Sequence, residues 1–150
     1  MKEFKFYLAG PMGGIPSANI PAFDAAAADL RSRGYDITSP AELDNEKVRT
    51  ESINDPTGLV HSGSWGEFLA RDVKLLADSL NAVILLPGWH KSKGATLEVY
   101  VAMTCGHPLF TYCPERSTAI RPLGRVPAFC AILERLNVDV EDVYYNDEAY

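Results

Sequence analysis

The chain has 150 residues, 47% of them hydrophobic and 23% charged, with a net charge of −6. This composition excludes a disordered or collagen-like chain, and the length suits one globular domain able to bury a sizeable core. Residues 139–150 hold five acids and no base, which leaves 14 bases against 15 acids elsewhere, so no broad basic face is offered to a nucleic-acid polymer.

Met1-Lys2-Glu3-Phe4-Lys5 carries charge where a signal peptide needs an apolar run. Phe4 to Leu8 reads as a short buried strand, stopped by Gly10-Pro11. Ile20 to Arg33 reads as a helix, because Ile20, Phe23, Ala27 and Leu30 share one face and Gly34 can close it. Tyr35 to Thr38 is a second strand, ended by Pro40. Residues 41–63 are polar and read as one long surface loop. Ser64 can cap a helix running to about Leu80, with Phe68, Val73 or Leu69, Leu75 and Leu76 inward.

Ala82 to Leu86 is a continuous apolar run, as expected of a strand buried on both faces. The longest apolar stretch, 82–87, is too short to span a bilayer, so no membrane partner is expected. Ser92 or Gly94 opens a third helix that Gly106 closes after Cys105. Pro108 to Tyr112 is a fourth strand, 113–125 an irregular loop, and Val126 to Leu136 a last helix before the acidic tail. That tail, with Tyr144, Tyr145 and Tyr150, reads as a solvated terminus or as a segment reaching over the site or a partner subunit. Cys105, Cys113 and Cys130 form no CxxC, which suits reduced thiols in the cytoplasm rather than disulfides or zinc.

Strands alternating with helices predict an α/β fold: a small Rossmann-like three-layer sandwich with a parallel sheet of four to five strands and right-handed crossovers. No second domain is evident. Ligands of such sheets bind beyond the carboxyl ends of the strands. Three segments fall there: Leu8-Ala9-Gly10-Pro11-Met12-Gly13-Gly14, then Pro87 to Gly94, then Cys113 to Gly124. Glycine turns entering helices suit phosphates, although neither GxGxxG nor a Walker lysine motif is present. Glycines serving only tight turns would explain either loop taken singly.

Glu98 is the residue of greatest interest, four positions after Gly94. At the end of a helix's first turn, the dipole is expected to hold a carboxylate ionised. An ionised carboxylate at the ligand edge can act as a nucleophile. Asp72, on the helix before the apolar strand, supplies a second carboxyl, and the pair is the arrangement that cleaves glycosidic bonds. Both could equally be solvated surface charges. Tyr7 ends an apolar strand with a polar tip that could orient Glu98 or simply pack in the core. Trp89 and His90 could stack on a base, or Trp89 could cover its own domain.

Taken together, Tyr7-Leu8-Ala9-Gly10-Pro11, Asp72 and Ser92-Lys93-Gly94-Ala95-Thr96-Leu97-Glu98, with Ala102 and Gly106 beyond, resemble the nucleoside 2-deoxyribosyltransferase superfamily over roughly Phe4 to Tyr112. The resemblance implies that Glu98 attacks the anomeric carbon, Tyr7 positions it, and Asp72 protonates or hydrogen-bonds the leaving base. It implies a dimer or larger assembly with shared sites, no cofactor and no metal, in agreement with the scattered His61, His90 and His107.

Ser92 stands where the free-nucleoside transferases of the superfamily carry a carboxylate and the deoxynucleoside 5′-monophosphate N-glycosidases a serine. Beside Lys91 and Lys93 a hydroxyl can donate to phosphate, although it could instead cap the helix. Gly13-Gly14 matches a glycine pair of the N-glycosidase branch, and Ser117 a serine that this branch lends to a neighbouring subunit. Thr96, where glycine is usual, and the 41–63 loop depart from both branches. The expected activity is hydrolysis of deoxynucleoside 5′-monophosphates. Base exchange between deoxynucleosides, and a non-catalytic nucleotide sensor, are the alternatives.

Overall fold

The computed structural model describes residues 3–59 and 63–137; His61 and the acidic run 139–150 with its tyrosines lie outside them. In chain order the elements are β1 (Lys5–Ala9), α1 (Ile20–Ser32), β2 (Asp36–Thr38), α2 (Glu46–Ile53), α3 (Trp65–Asp78), β3 (Ala82–Leu85), α4 (Lys93–Thr104), β4 (Leu109–Tyr112), β5 (Ile120–Leu123) and α5 (Arg125–Arg135). They build a five-stranded sheet in the order β2-β1-β3-β4-β5. The first four strands pair in parallel, and β5 runs antiparallel to β4.

Each face of the sheet carries its own core. On one face α1 buries Ile20, Phe23, Ala26, Ala27 and Leu30 against Phe6, Leu8, Ile84 and Leu86. On the other, Leu76 of α3, Ala95, Val99 and Ala102 of α4, and Ala128 and Ile132 of α5 cover Tyr7, Val83, Leu85 and Leu109. Side chains alternate across a strand, so the unbroken apolar run of β3 feeds both cores at once and all four residues are buried. Each large apolar side chain so buried is worth about 1.5–3 kcal/mol relative to exposure.

The sheet departs from sequence expectation in two segments. Residues 41–63 are not one loop: a 3-10 turn at Pro40–Glu42 and helix α2 occupy much of the span. Helix α2 buries only Val48 and Ser52, too few positions to mark a helical period; its start is set by Asn45, whose side chain accepts from the Val48 N–H at 3.0 Å. Residues 113–125 are likewise not wholly irregular, because β5 pairs along β4. Its Pro122 conceals the strand, and an edge position is where a sheet tolerates proline.

Helix α3 has its expected cap, a reciprocal capping box between Ser64 and Glu67. Its inward face differs: Asp72 and Leu76 are buried, while Phe68, Leu69, Val73 and Leu75 are only partly covered. Gly34 and Gly106 both close helices in the left-handed conformation (φ +89 and +77), as their positions suggested.

The strand order reverses at β1: the chain passes from β1 to β2 on one side and then crosses to β3 on the other. At that switch point the loops after β1 and β3 diverge and leave a crevice. Among the described residues no helix is long and apolar enough to cross a membrane.

Candidate active site

The crevice is a cavity of about 360 Å³. The sheet edge supplies Gly10, Met12 and Gly13 after β1, and Lys91 to Ala95 after β3. Gly10 is dictated by space, since a Cβ there would lie 2.9 Å from that of Leu86. The opposite wall comes from Asp44 and Val48 around α2, and from Trp65, Phe68, Arg71 and Asp72 of α3.

That wall is anchored to the loop after β1. Gly14 N–H donates to the Gly58 carbonyl at 2.9 Å, and Ser17 N–H to that of Asp55 at 2.8 Å. Gly58 cannot be replaced without moving the chain, because a Cβ would fall 1.9 Å from the Ile15 oxygen. Ser17, Ala18 and Asn19 all hold left-handed backbone (φ 57, 49 and 57), a conformation that costs about 1–2 kcal/mol per non-glycine residue. The turn is held by the Ser17 hydroxyl donating to the Ile53 carbonyl and by the Asn19 amide donating to that of Pro11.

Glu98 and Asp72 both line the cavity and are both buried, at 7% and 6% exposure. Beneath them Tyr7, wholly buried, donates its hydroxyl proton to Glu98 Oε1 at 3.0 Å. Arg71 bridges two carboxylates, donating from Nε to Asp72 at 2.8 Å and from Nη1 to Asp44 at 2.6 Å. Its guanidinium also lies 5.5 Å from the Phe68 ring centre.

Burial pushes the Glu98 carboxyl up to about 8; the nearby Asp72 charge adds to this, and the Tyr7 hydrogen bond and Arg71 oppose it. The expectation that the helix dipole would hold Glu98 ionised is therefore overturned. Lys93 begins α4, so Glu98 is its sixth residue, beyond the first turn in which the dipole acts. Asp72 is also raised by burial, against the pull of Arg71. Tyr7 rises well above its ordinary value through burial and the negative charges of Glu98 and Asp72, so it stays a donor.

At the other end, Ser92 Oγ caps α4 by accepting from the Ala95 N–H at 3.2 Å. The hydroxyl proton has no acceptor among the described residues and Ser92 lines the cavity, so capping and ligand donation are compatible. Thr96 turns away from this cavity and donates back to the Ser92 and Lys93 carbonyls, so its departure from glycine does not obstruct the site.

The site thus gathers Glu98, Asp72, Tyr7, Gly10, Met12, Gly13, Ser92 and Gly94. Pro11, Gly14 and Trp89 do not line this cavity, and neither does Ser117, which the resemblance assigns to a neighbouring subunit's site rather than to its own. Gly14 holds the excursion, as described above. Trp89 points into the core beneath α4 with 8% exposure, because its large apolar ring is better buried there than at the cavity mouth. His90 is exposed beside it. Ser117 lies exposed in the β4–β5 turn, its carbonyl accepting from Arg33. His107 bonds the Leu76 carbonyl, and among the described residues no cluster of histidine, cysteine and carboxylates could hold a metal.

Trp65, Phe68, Arg71, Asp44 and Arg135 were not expected at the site. The one sign in the sequence is an acidic residue, Asp72, on the same helix as the apolar Trp65, Phe68 and Leu69. Residues 4–111 match the family model described as a domain of unknown function, DUF4406. No curated protein and no solved structure matches the chain.

Proposed function

The chain belongs to the DUF4406 family, a domain of unknown function, and from its site we propose that it cleaves the N-glycosidic bond of 2′-deoxynucleoside 5′-monophosphates. The observation that carries this reading is the buried Glu98 carboxyl, held by the Tyr7 hydroxyl at 3.0 Å and paired with Asp72 in a cavity at the sheet's switch point. The sequence resemblance to nucleoside 2-deoxyribosyltransferases supports it, since the same three residues carry that resemblance.

One Glu98 oxygen accepts from Tyr7, which leaves the other to attack C1′. As the C1′–O bond forms, the C1′–N bond breaks and its electron pair leaves with the base, which takes a proton from Asp72. The ionised Asp72 then takes a proton from water. The water oxygen bonds C1′ as the ester to Glu98 breaks, releasing 2-deoxyribose 5-phosphate and restoring both carboxyls. An anionic carboxylate is costly in this buried place, and the positive charge growing at C1′ offsets that cost only in the transition state.

The carboxyl pair shares one proton in this scheme. Burial places it on Glu98, while Arg71 favours charge on Asp72; the productive form has it on Asp72. The pair therefore acts between its two ionisations and fails when both protons are lost. The 5′-phosphate is assigned to Ser92 with Lys91 and Lys93, and the base to the Trp65–Phe68 wall.

Separating the products of a panel of deoxynucleosides and deoxynucleoside monophosphates, with and without an acceptor base, tests the reading. Free base from a monophosphate is expected, reduced roughly 10⁴-fold or more in Glu98→Ala. Undiminished activity in that variant overturns Glu98 as the nucleophile. Base exchange outpacing hydrolysis, without regard to the phosphate, would make the protein a transferase. Thermal stabilisation without turnover would make it a sensor.

A further inference from the structure

Helix α5 lies beyond both the family match at 4–111 and the sequence resemblance, yet it reaches the cavity. It packs against α4 through Ala128 and Ile132. Its last residue, Arg135, lines the cavity with Lys91, Ser92, Lys93 and Gly94. Cations at a helix C-terminus often bind the last free carbonyls. Arg135 does not: its Nε is buried and has no hydrogen-bond partner among the described residues.

A buried donor without an acceptor is costly, so an anion in the cavity that draws the Arg135 guanidinium onto its oxygens is favoured. Lys91 and Lys93, both exposed, form no ion pair among the described residues, although seven such pairs occur elsewhere. Three cations with no ion pair among the described residues, the free Ser92 proton and the unused N–H groups at the start of α4 line the cavity, which Glu98, Asp72 and Asp44 line as well.

We infer that Arg135 is a specificity-determining residue for the terminal phosphate of the substrate. Its planar guanidinium donates to the phosphate oxygens of a deoxynucleoside 5′-monophosphate whose C1′ faces Glu98. This rests on the proposed reaction for its choice of ligand, and it assigns α5, outside the family match, to substrate choice. Without a phosphate the guanidinium stays unpaired, so a bare deoxynucleoside is disfavoured at this end.

The test uses the full chain as wild type, Arg135→Ala and Arg135→Lys, titrated with deoxynucleoside monophosphates, the matching deoxynucleosides and inorganic phosphate. Base release is measured in parallel. In Arg135→Ala the Kd and KM for the monophosphate should rise about tenfold or more relative to those for the nucleoside, with kcat changed less than KM. Arg135→Lys should recover part of the loss, because it restores the charge but not the fork.

Equal losses for both ligands would reduce Arg135 to a structural role, and no loss for either would remove it from the site; each overturns the inference. Arg135→Gln, which keeps most of the aliphatic stem, serves if the alanine variant melts early. Monophosphate binding weakened by Arg135→Ala without any base release would sustain the phosphate contact and refute the reaction. Glu98-dependent release indifferent to Arg135 would do the reverse. Failure of every monophosphate to bind would refute both.

Discussion

The two ends of the cavity answer the same physical question in opposite ways. At the carboxyl end, the carboxyl groups are buried or partly buried and each has a partner: Glu98 has Tyr7, and Asp72 and Asp44 share Arg71. At the cationic end, Lys91, Lys93 and the Arg135 Nε have none among the described residues. A satisfied network fixes the geometry of its members, whereas an unsatisfied one marks where a ligand group can repay its own desolvation. The first is suited to reaction at a fixed atom, the second to recognition of an anion.

The largest effect that could break this contrast belongs to Asp72→Asn. General acid catalysis is worth about 10²–10⁴-fold, and that loss is expected in base release. The pH profile should invert as well. In the wild type, kcat/KM should fall as the pair loses its last proton near the value of about 8 that burial sets for Glu98. The variant has no acid to lose, and removal of the Asp72 charge lowers Glu98, so its residual activity should climb to a plateau below that pH. A wild-type rate still rising above pH 9 would contradict the shared proton.

Glu98→Gln probes the same end through stability. Folded Glu98 keeps its proton up to about 8, whereas the unfolded residue releases it near 4.5. The native state therefore binds more protons between those values. The stability that this contributes is complete below the lower value and is lost as pH rises to the upper one, at about 1.4 kcal/mol per pH unit. The glutamine variant lacks this dependence, so its advantage over wild type should grow by up to a few kcal/mol between pH 5 and 9. Denaturant midpoints at several pH values measure it, and parallel curves for the two proteins would refute the buried carboxyl.

Ser92→Asp sharpens the contrast at the other end with the smallest effect. Aspartate caps helices as well as serine does, so stability should change by less than about 0.5 kcal/mol. A carboxylate in place of the free hydroxyl would repel a phosphate and weaken monophosphate binding about tenfold relative to the nucleoside. Unaltered discrimination between the two ligands would place the phosphate elsewhere.

The sheet-edge half of the site was legible in sequence because local rules govern it. The apolar run at Ala82–Leu85 and the Ser92 cap act within a few residues, and the glycine turn at Gly10 is visible in sequence although its space is set by Leu86 across the fold. The far wall was not legible. Helix α2 has too few buried positions to show a period, and Trp65 and Phe68 look like the core face of an ordinary amphipathic helix. Trp89 failed in the opposite sense: beside a loop it resembles a ligand contact, but tertiary packing draws it under α4.

The sequence by itself determined the order of strands and helices, the parallel core of the sheet, and the candidacy of Tyr7, Asp72 and Glu98. Periodicity, caps and glycines are near-neighbour properties, and the resemblance joined the three residues. Only the tertiary structure decided that they meet, that burial outweighs the helix dipole at Glu98, and that Arg135 enters the cavity. Desolvation depends on everything that surrounds a group, and elements distant in sequence supply those surroundings.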